Sequence, residues 1–137
     1  MNRRTILKTS VILPAAIAGT PFANLLGQTS SEKWPDGIIY TKDMPGKWEK
    51  KVKSHAPVVS VEGDKITLET VHGMSEEHYI VRHTLVTDKG EVVGEKTFYP
   101  VDEEAVSTFK LPADAKVLYA TSFCNKHDFW ITKVELG

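Results

Sequence analysis

The side chains best suited to metal chemistry in this 137-residue sequence are its histidines and its single cysteine. They stand at positions 55, 72, 78, 83 and 127 for histidine and at position 124 for cysteine. Cys124 and His127 form a Cys-x-x-His pair, a spacing that lets one tight turn direct both side chains at a single point. Cysteine binds metals as the thiolate, and a bound metal lowers the thiol pKa enough to provide that form. The pair therefore indicates metal ligation.

A purely structural role is the alternative for each of these residues taken singly. A lone histidine is usually a surface or hydrogen-bonded core residue, and a lone cysteine is most often a small buried hydrophobe. His83 fits that alternative, because strict alternation along residues 78–87 places it on the strand face opposite His78. We therefore assign His83 to structure and the other four histidines, with Cys124, to one site.

Four imidazoles and one thiolate exceed the four ligands of the usual structural zinc site. Such a donor set suits a five-coordinate transition metal with one open position, and iron is the natural candidate. We expect one non-haem iron per chain. A non-catalytic domain that holds zinc or binds a protein partner is the alternative, and metal analysis separates the two.

The elements that must position these residues are short strands separated by turns. Beyond His55 the sequence alternates with period two, and no segment shows sustained helical spacing. Strands are predicted at 37–40, 58–61, 65–71, 78–87, 91–99, 105–111, 116–123 and 129–136. This pattern predicts an all-β fold, an immunoglobulin-like antiparallel β-sandwich of seven to eight strands. Four of the five histidines stand where strands meet loops, which is where a sandwich builds sites on a rigid frame.

Residues 1–28 have the composition of a targeting segment. They contain Arg3, Arg4 and Lys8 but no acid, followed by an apolar stretch and small residues. This layout predicts a signal peptide, and the adjacent arginines are typical of twin-arginine export. We therefore expect a periplasmic or otherwise exported protein whose folded domain is residues 29–137. Membrane anchoring by an uncleaved signal remains the alternative.

Charge and cysteine content exclude two other classes of protein. Lys plus Arg number 17 and Asp plus Glu number 18, for a formal net charge of -1. This balance excludes the clustered basic excess that nucleic-acid binding needs. The single cysteine excludes an intramolecular disulfide framework.

Three segments together resemble the superoxide reductase family, which includes the neelaredoxins and the iron domain of desulfoferrodoxins. The segments are His55-Ala56-Pro57, His72-Gly73-Met74 continuing to Glu77-His78-Tyr79-Ile80, and Cys124-Asn125-Lys126-His127-Asp128-Phe129-Trp130. Their order and spacing agree with the family over roughly residues 45–137.

The resemblance implies a role for each residue of the site. His55, His72, His78 and His127 would be equatorial ligands of a ferrous ion, Cys124 its axial thiolate, and the sixth position open. The implied reaction is reduction of superoxide to hydrogen peroxide with an external electron-donor protein. The resemblance also implies a homo-oligomer.

The sequence departs from the family next to the first histidine. The family has Glu-Lys directly before it, where this chain has Lys53 and Ser54. Lys53 is therefore our candidate for the catalytic cation, and a solvated basic run with Lys50 and Lys51 is the alternative. Asp128, where the family has glycine, adds a charge that would oppose an incoming anion. These changes motivate a second hypothesis, an exported iron redox carrier or reactive-species responder without efficient superoxide turnover.

Overall fold

Eight strands and one short helical segment make up the part of the chain that the computed structural model describes, residues 36–137. The predicted signal segment, residues 1–28, lies outside the described residues. The strands are β1 (Ile39–Tyr40), β2 (Val58–Glu62), β3 (Lys65–Thr70), β4 (Ile80–Thr87), β5 (Val92–Thr97), β6 (Ala105–Lys110), β7 (Val117–Cys124) and β8 (Asp128–Glu135). A 3-10 turn, Gly46–Lys51, runs into helix α1, Val52–His55.

The strands form two sheets, which confirms the predicted all-β sandwich. One sheet has five strands in the order β1-β8-β7-β4-β5, and the other has three in the order β2-β3-β6. The pairs are antiparallel except that β1 runs parallel to β8. The β7–β8 hairpin is the part of the larger sheet that carries Cys124 and leads to His127.

The core lies between the sheets and is built by alternation along the strands. Ile66 and Leu68 of β3 are fully buried, as are Leu85 of β4 and Leu118 and Ala120 of β7, and all five belong to one cluster. Burying each large aliphatic side chain stabilises the fold by about 1.5–3 kcal/mol. This packing makes the sandwich a rigid frame for the loops at its ends.

An irregularity in β4 breaks the strict alternation that the sequence analysis assumed. The pairing of β4 with β7 shifts register between Ile80 and Arg82. One extra residue in a strand reverses which face the following side chains occupy. As a result Ile80 and His83 are both fully buried. The alternation argument for His83 was therefore wrong, although His83 does lie among core residues.

The helical segment at residues 46–55 was not predicted from the sequence. It is only ten residues long and lacks a capping side chain at either start, so it carries none of the usual local signals. Its apolar residues Trp48 and Val52 instead pack against the buried cluster of Tyr40, Ala56 and Trp130. Tertiary packing rather than local preference therefore specifies this helix. Among the residues described, no helix is long and apolar enough to cross a membrane.

Candidate metal centre

All five candidate ligands lie at one end of the sandwich, each supplied by the end of an element or by a loop. His55 is the last residue of α1, and Cys124 is the last residue of β7. His72 and His78 lie in the loop between β3 and β4, and His127 lies in the turn between β7 and β8. Three separate stretches of chain therefore converge on one point.

Hydrogen bonds hold the two loops of the site together. The backbone N–H of Tyr79 donates to Asn125 Oδ1 at 3.0 Å, and Asn125 Nδ2 donates to the carbonyl of Glu77 at 3.0 Å. Within the first loop, the Ser75 hydroxyl donates to the carbonyl of His78 at 3.1 Å. Asn125 thus ties the stretch that carries His78 to the turn that carries His127.

The four imidazole rings form a closed cluster in which each ring has two near neighbours. Neighbouring ring centroids are separated by 4.7 Å for His55–His72, 4.3 Å for His72–His78, 4.7 Å for His78–His127 and 4.6 Å for His127–His55. The diagonal from His55 to His78 is longer, at 5.9 Å. Four imidazoles spaced this evenly and closely fit the ligands of one cation.

The ring nitrogens approach each other as closely as ligands of a shared ion do. His78 Nε2 lies 3.0 Å from His72 Nε2 and 2.9 Å from His127 Nδ1. Metal–imidazole bonds of about 2.0–2.1 Å that meet at a right angle separate the two nitrogens by about 2.9 Å. The observed spacings therefore fit two pairs of adjacent ligands on one metal.

In the rings of His55 and His72, a hydrogen bond from Nδ1 to the backbone sets the direction in which Nε2 points. His55 Nδ1 donates to the carbonyl of Lys51 at 3.2 Å, and His72 Nδ1 donates to the carbonyl of Gly73. Hydrogen bonding of this kind sets the tautomer and orients a ligating ring. His55 Nε2 is then a buried acceptor that has no hydrogen-bond partner among residues 36–137. An orphaned buried lone pair aimed into a histidine cluster fits a bound cation.

The cysteine completes the cluster from the core side. One ligand atom from each of His55, His72, His78 and Cys124 lies within 4.8 Å of the others. His127 falls outside that tight group, but its Nδ1 is 3.6 Å from Cys124 Sγ. The structure thus brings together all five residues that the sequence singled out, and the donor set suits one non-haem iron.

Burial keeps the four imidazoles neutral, which is the form that binds a metal. Removal from water, together with the neighbouring His72 and His127, lowers the pKa of His55 to about 4. Burial is also the main cause of the lowered pKa of His72, His78 and His127. At neutral pH each ring therefore offers a lone pair.

For the Cys124 thiol, burial disfavours the charged form, which is the form that binds a metal. Removal from water raises the pKa of Cys124, and the backbone N–H groups of Lys126 and His127, which hydrogen-bond to the sulfur, offset part of that rise. A cation in the site would provide the stabilisation that the thiolate still lacks.

A solvent-open cavity of about 370 Å³ adjoins His55, His72 and His78 and includes Lys51 in its wall. Lys53, the lysine singled out from the sequence, lines a different cavity with Val52, Ala56 and residues of β2 and β8. The structure therefore places Lys51 rather than Lys53 at the site.

The helical turn that the sequence did not reveal explains this difference. Residues four apart share a helix face, whereas residues two apart point in nearly opposite directions. Lys51 stands four positions before His55, and Lys53 stands two before it. The spacing of Lys51 to His55 was the available signal, but it has meaning only once a helix is known to be there.

His83 lies outside the site, in a hydrogen-bonded position between the sheets. Its Nε2 is 2.8 Å from Thr70 Oγ1 and its Nδ1 is 2.8 Å from Ser107 Oγ. Both ring nitrogens are thus occupied by hydroxyls, which leaves no lone pair for a metal.

Comparisons with known proteins agree with this geometry. A family model described as desulfoferrodoxin matches residues 47–133. The superoxide reductase (1Fe-SOR) of Giardia intestinalis is 25% identical with a TM-score of 0.56, over 61% of this chain and 99% of that one. The neelaredoxin of Ignicoccus hospitalis is 28% identical with a TM-score of 0.59, and the match covers 75% of this chain and 97% of that one. The superoxide reductase of Treponema pallidum is 34% identical with a TM-score of 0.53, and the match covers 61% of this chain and 69% of that one. No curated protein matches the sequence.

Proposed function

The chain belongs to the desulfoferrodoxin family, and from this membership we propose that it is a superoxide reductase with one non-haem iron. The observation that carries the proposal is the cluster of four evenly spaced imidazoles with a buried thiol beside it. The reaction takes up one electron and two protons for each superoxide and releases hydrogen peroxide. When bound, ferrous iron supplies the electron, and an external donor returns it.

The first task of the protein's side chains would be to bind the iron ion. His55, His72, His78 and His127 would supply neutral nitrogen ligands, and Cys124 would supply a thiolate from the core side. Hydrogen bonds from backbone N–H groups to the sulfur reduce its electron donation and so tune the redox potential of the centre. The cavity beside the histidines leaves one side of the site open to solvent, and superoxide enters there.

In this proposal Lys51 attracts the superoxide anion to the site. Its side chain lines the open cavity, and its charge is one of the causes that lower the pKa of His72, His78 and His127, after burial. A cation at the mouth of a cleft raises the local concentration of an anionic substrate.

The electron donor is proposed to be a separate protein, and the chain is proposed to associate with itself. Strand β5 supports self-association because it is an edge strand with Val92 and Val93 exposed. An unpaired edge with apolar side chains is a surface that proteins usually cover. Light scattering of the iron-loaded chain would give its mass in solution, and a monomer would contradict this part.

We also propose that the protein acts outside the cytoplasm. The proposal is supported by the sequence of residues 1–28, with Arg3-Arg4 ahead of an apolar stretch that contains no acid. Twin-arginine routes carry folded proteins, which suits a chain whose metal is inserted before export. An uncleaved segment would serve as an anchor instead.

The first test is metal content together with the visible spectrum of the oxidised protein and its reaction with superoxide. We expect one iron per chain, a thiolate-to-iron charge-transfer band, and a fast second-order reaction in pulse radiolysis. His127→Ala removes one imidazole and is expected to lose iron and activity, whereas His83→Gln, outside the site, keeps both. Zinc in place of iron, or full activity in His127→Ala, would contradict the proposal. Iron binding without fast reaction would favour the redox carrier instead.

A further inference from the structure

His127 differs from two of the other ring ligands in how it is held. The rings of His55 and His72 are each fixed by a hydrogen bond from Nδ1 to a backbone carbonyl. His127 points Nδ1 toward His78 and Cys124. Its Nε2 makes no hydrogen bond within residues 36–137. Orientation of this ring must therefore come from packing.

The packing partner is Trp48, from the 3-10 turn. Its ring stands perpendicular to that of His127, with centroids 4.6 Å apart and an interplanar angle of 88°. An edge-to-face contact of this type is attractive beyond the area that it buries. Trp48 thus restricts rotation of the imidazole.

Asp128 in turn fixes the indole. Trp48 Nε1 donates to Asp128 Oδ2 at 2.9 Å, a contact between residues 80 positions apart in the chain. Lys47 Nζ lies 3.7 Å from the same oxygen and 4.9 Å from the centroid of the Trp48 ring. Asp128 directly follows His127 in the chain. Trp48 therefore contacts both neighbours, the imidazole through its ring and the carboxylate through its indole N–H.

The backbone of Asp128 has a conformation that few residue types adopt. Its φ is +68°, in the left-handed region, where most side chains are disfavoured and glycine, asparagine and aspartate are tolerated. The resembling family has glycine at this position. Here an aspartate keeps that backbone conformation and adds a carboxylate, which accepts the indole hydrogen bond.

We propose that Trp48 and Asp128 are positioning residues that hold His127 in its metal-binding orientation through the indole–carboxylate hydrogen bond. The proposal rests on the proposed iron site. In this proposal Asp128 acts as a hydrogen-bond acceptor, and its negative charge is not required. Lys47 partly compensates that charge.

Two substitutions at position 128 separate the hydrogen bond from the charge. Asp128→Gly keeps the backbone conformation but removes the acceptor, whereas Asp128→Asn keeps an acceptor oxygen and the tolerated backbone while removing the charge. Trp48→Phe keeps an aromatic ring at His127 and removes the indole N–H. Thermal unfolding of each variant shows whether the sandwich is intact.

The readouts are iron retention by the full chain against a ferrous chelator under anaerobic conditions, and the electron paramagnetic resonance and visible spectra of the oxidised form. We expect Asp128→Gly and Trp48→Phe to lower the apparent iron affinity about tenfold and to shift the spectra. Asp128→Asn should stay close to the parent, and the double variant Trp48→Phe, Asp128→Gly should be no worse than either single variant.

Three results would overturn the inference. The first is an unchanged affinity and spectrum in Asp128→Gly. The second is an Asp128→Asn variant as defective as Asp128→Gly, which would make charge the important property. The third is a parent chain that binds no iron, which would overturn the proposed function as well and is thereby distinguished from the first two.

Discussion

Lys51 and Lys53 carry the same charge two positions apart, yet they face different cavities. Lys51 is half-buried beside the histidines, and Lys53 is exposed on the other side of the helical turn. The main-chain carbonyl of Lys51 also accepts the hydrogen bond from His55, so one residue serves the site through both its backbone and its side chain. Replacement of either side chain leaves that backbone contact in place.

These two lysines form a matched pair for an electrostatic test. Lys51→Met should lower the second-order rate constant with superoxide about tenfold at low ionic strength, because the cation at the cavity mouth is lost. Lys53→Met removes the same charge from the other cavity and should change the rate much less. Pulse radiolysis at several salt concentrations measures both. Equal effects of the two substitutions would mean that only net charge matters.

At the scale of elements, a polar network joins the two sheets. His83 of β4 bonds to Thr70 of β3 and to Ser107 of β6, and Thr70 also bonds to Ser122 of β7 at 2.8 Å. All four side chains are buried. A fully satisfied buried network of this kind specifies how one sheet sits on the other.

This network predicts a dependence of stability on pH. Burial, with a smaller effect from the charge of Lys96, lowers the pKa of His83 from 6.5 to about 4. Between these values the unfolded chain binds a proton that the folded chain does not, so the free energy of unfolding falls as the pH drops from about 6.5 to 4. The slope from this one group approaches about 1.4 kcal/mol per pH unit.

Urea unfolding of the parent and of His83→Gln over this pH range measures the effect. The site histidines contribute to both proteins, so the difference between the two curves isolates His83. We expect the variant to be less stable at pH 7 and to lose less stability on acidification. Parallel curves for the two proteins would contradict the assignment.

At the scale of the whole molecule, the sequence divides into a segment with no acids and a domain that holds all five histidines. A combined Arg3→Lys, Arg4→Lys substitution preserves the charge of that segment and should leave the protein in the cytoplasm, because the twin-arginine pathway recognises the arginine pair. Cell fractionation with detection of the chain measures this. Lys8→Arg is the control and should still be exported. Undiminished export of the double variant would contradict the prediction.

The sequence by itself was sufficient for the strands and for the set of four histidines and one cysteine that lie together in the structure. Both follow from short-range properties, namely alternation with period two and the ligand chemistry of histidine and thiolate. The Cys124–His127 pair lies within a single turn, so its convergence is a local matter as well. For these features the neighbouring residues contain the necessary information.

Only the tertiary structure decided which lysine faces the site, how His83 is buried, and what holds His127. Lys51 faces the histidines because of a helix that is too short to form without packing against Tyr40 and Trp130. His83 was turned inward by a register shift that depends on pairing with β7. The contact between Trp48 and Asp128 joins residues 80 positions apart. Each of these depends on contacts between distant parts of the chain, which no local pattern in the sequence encodes.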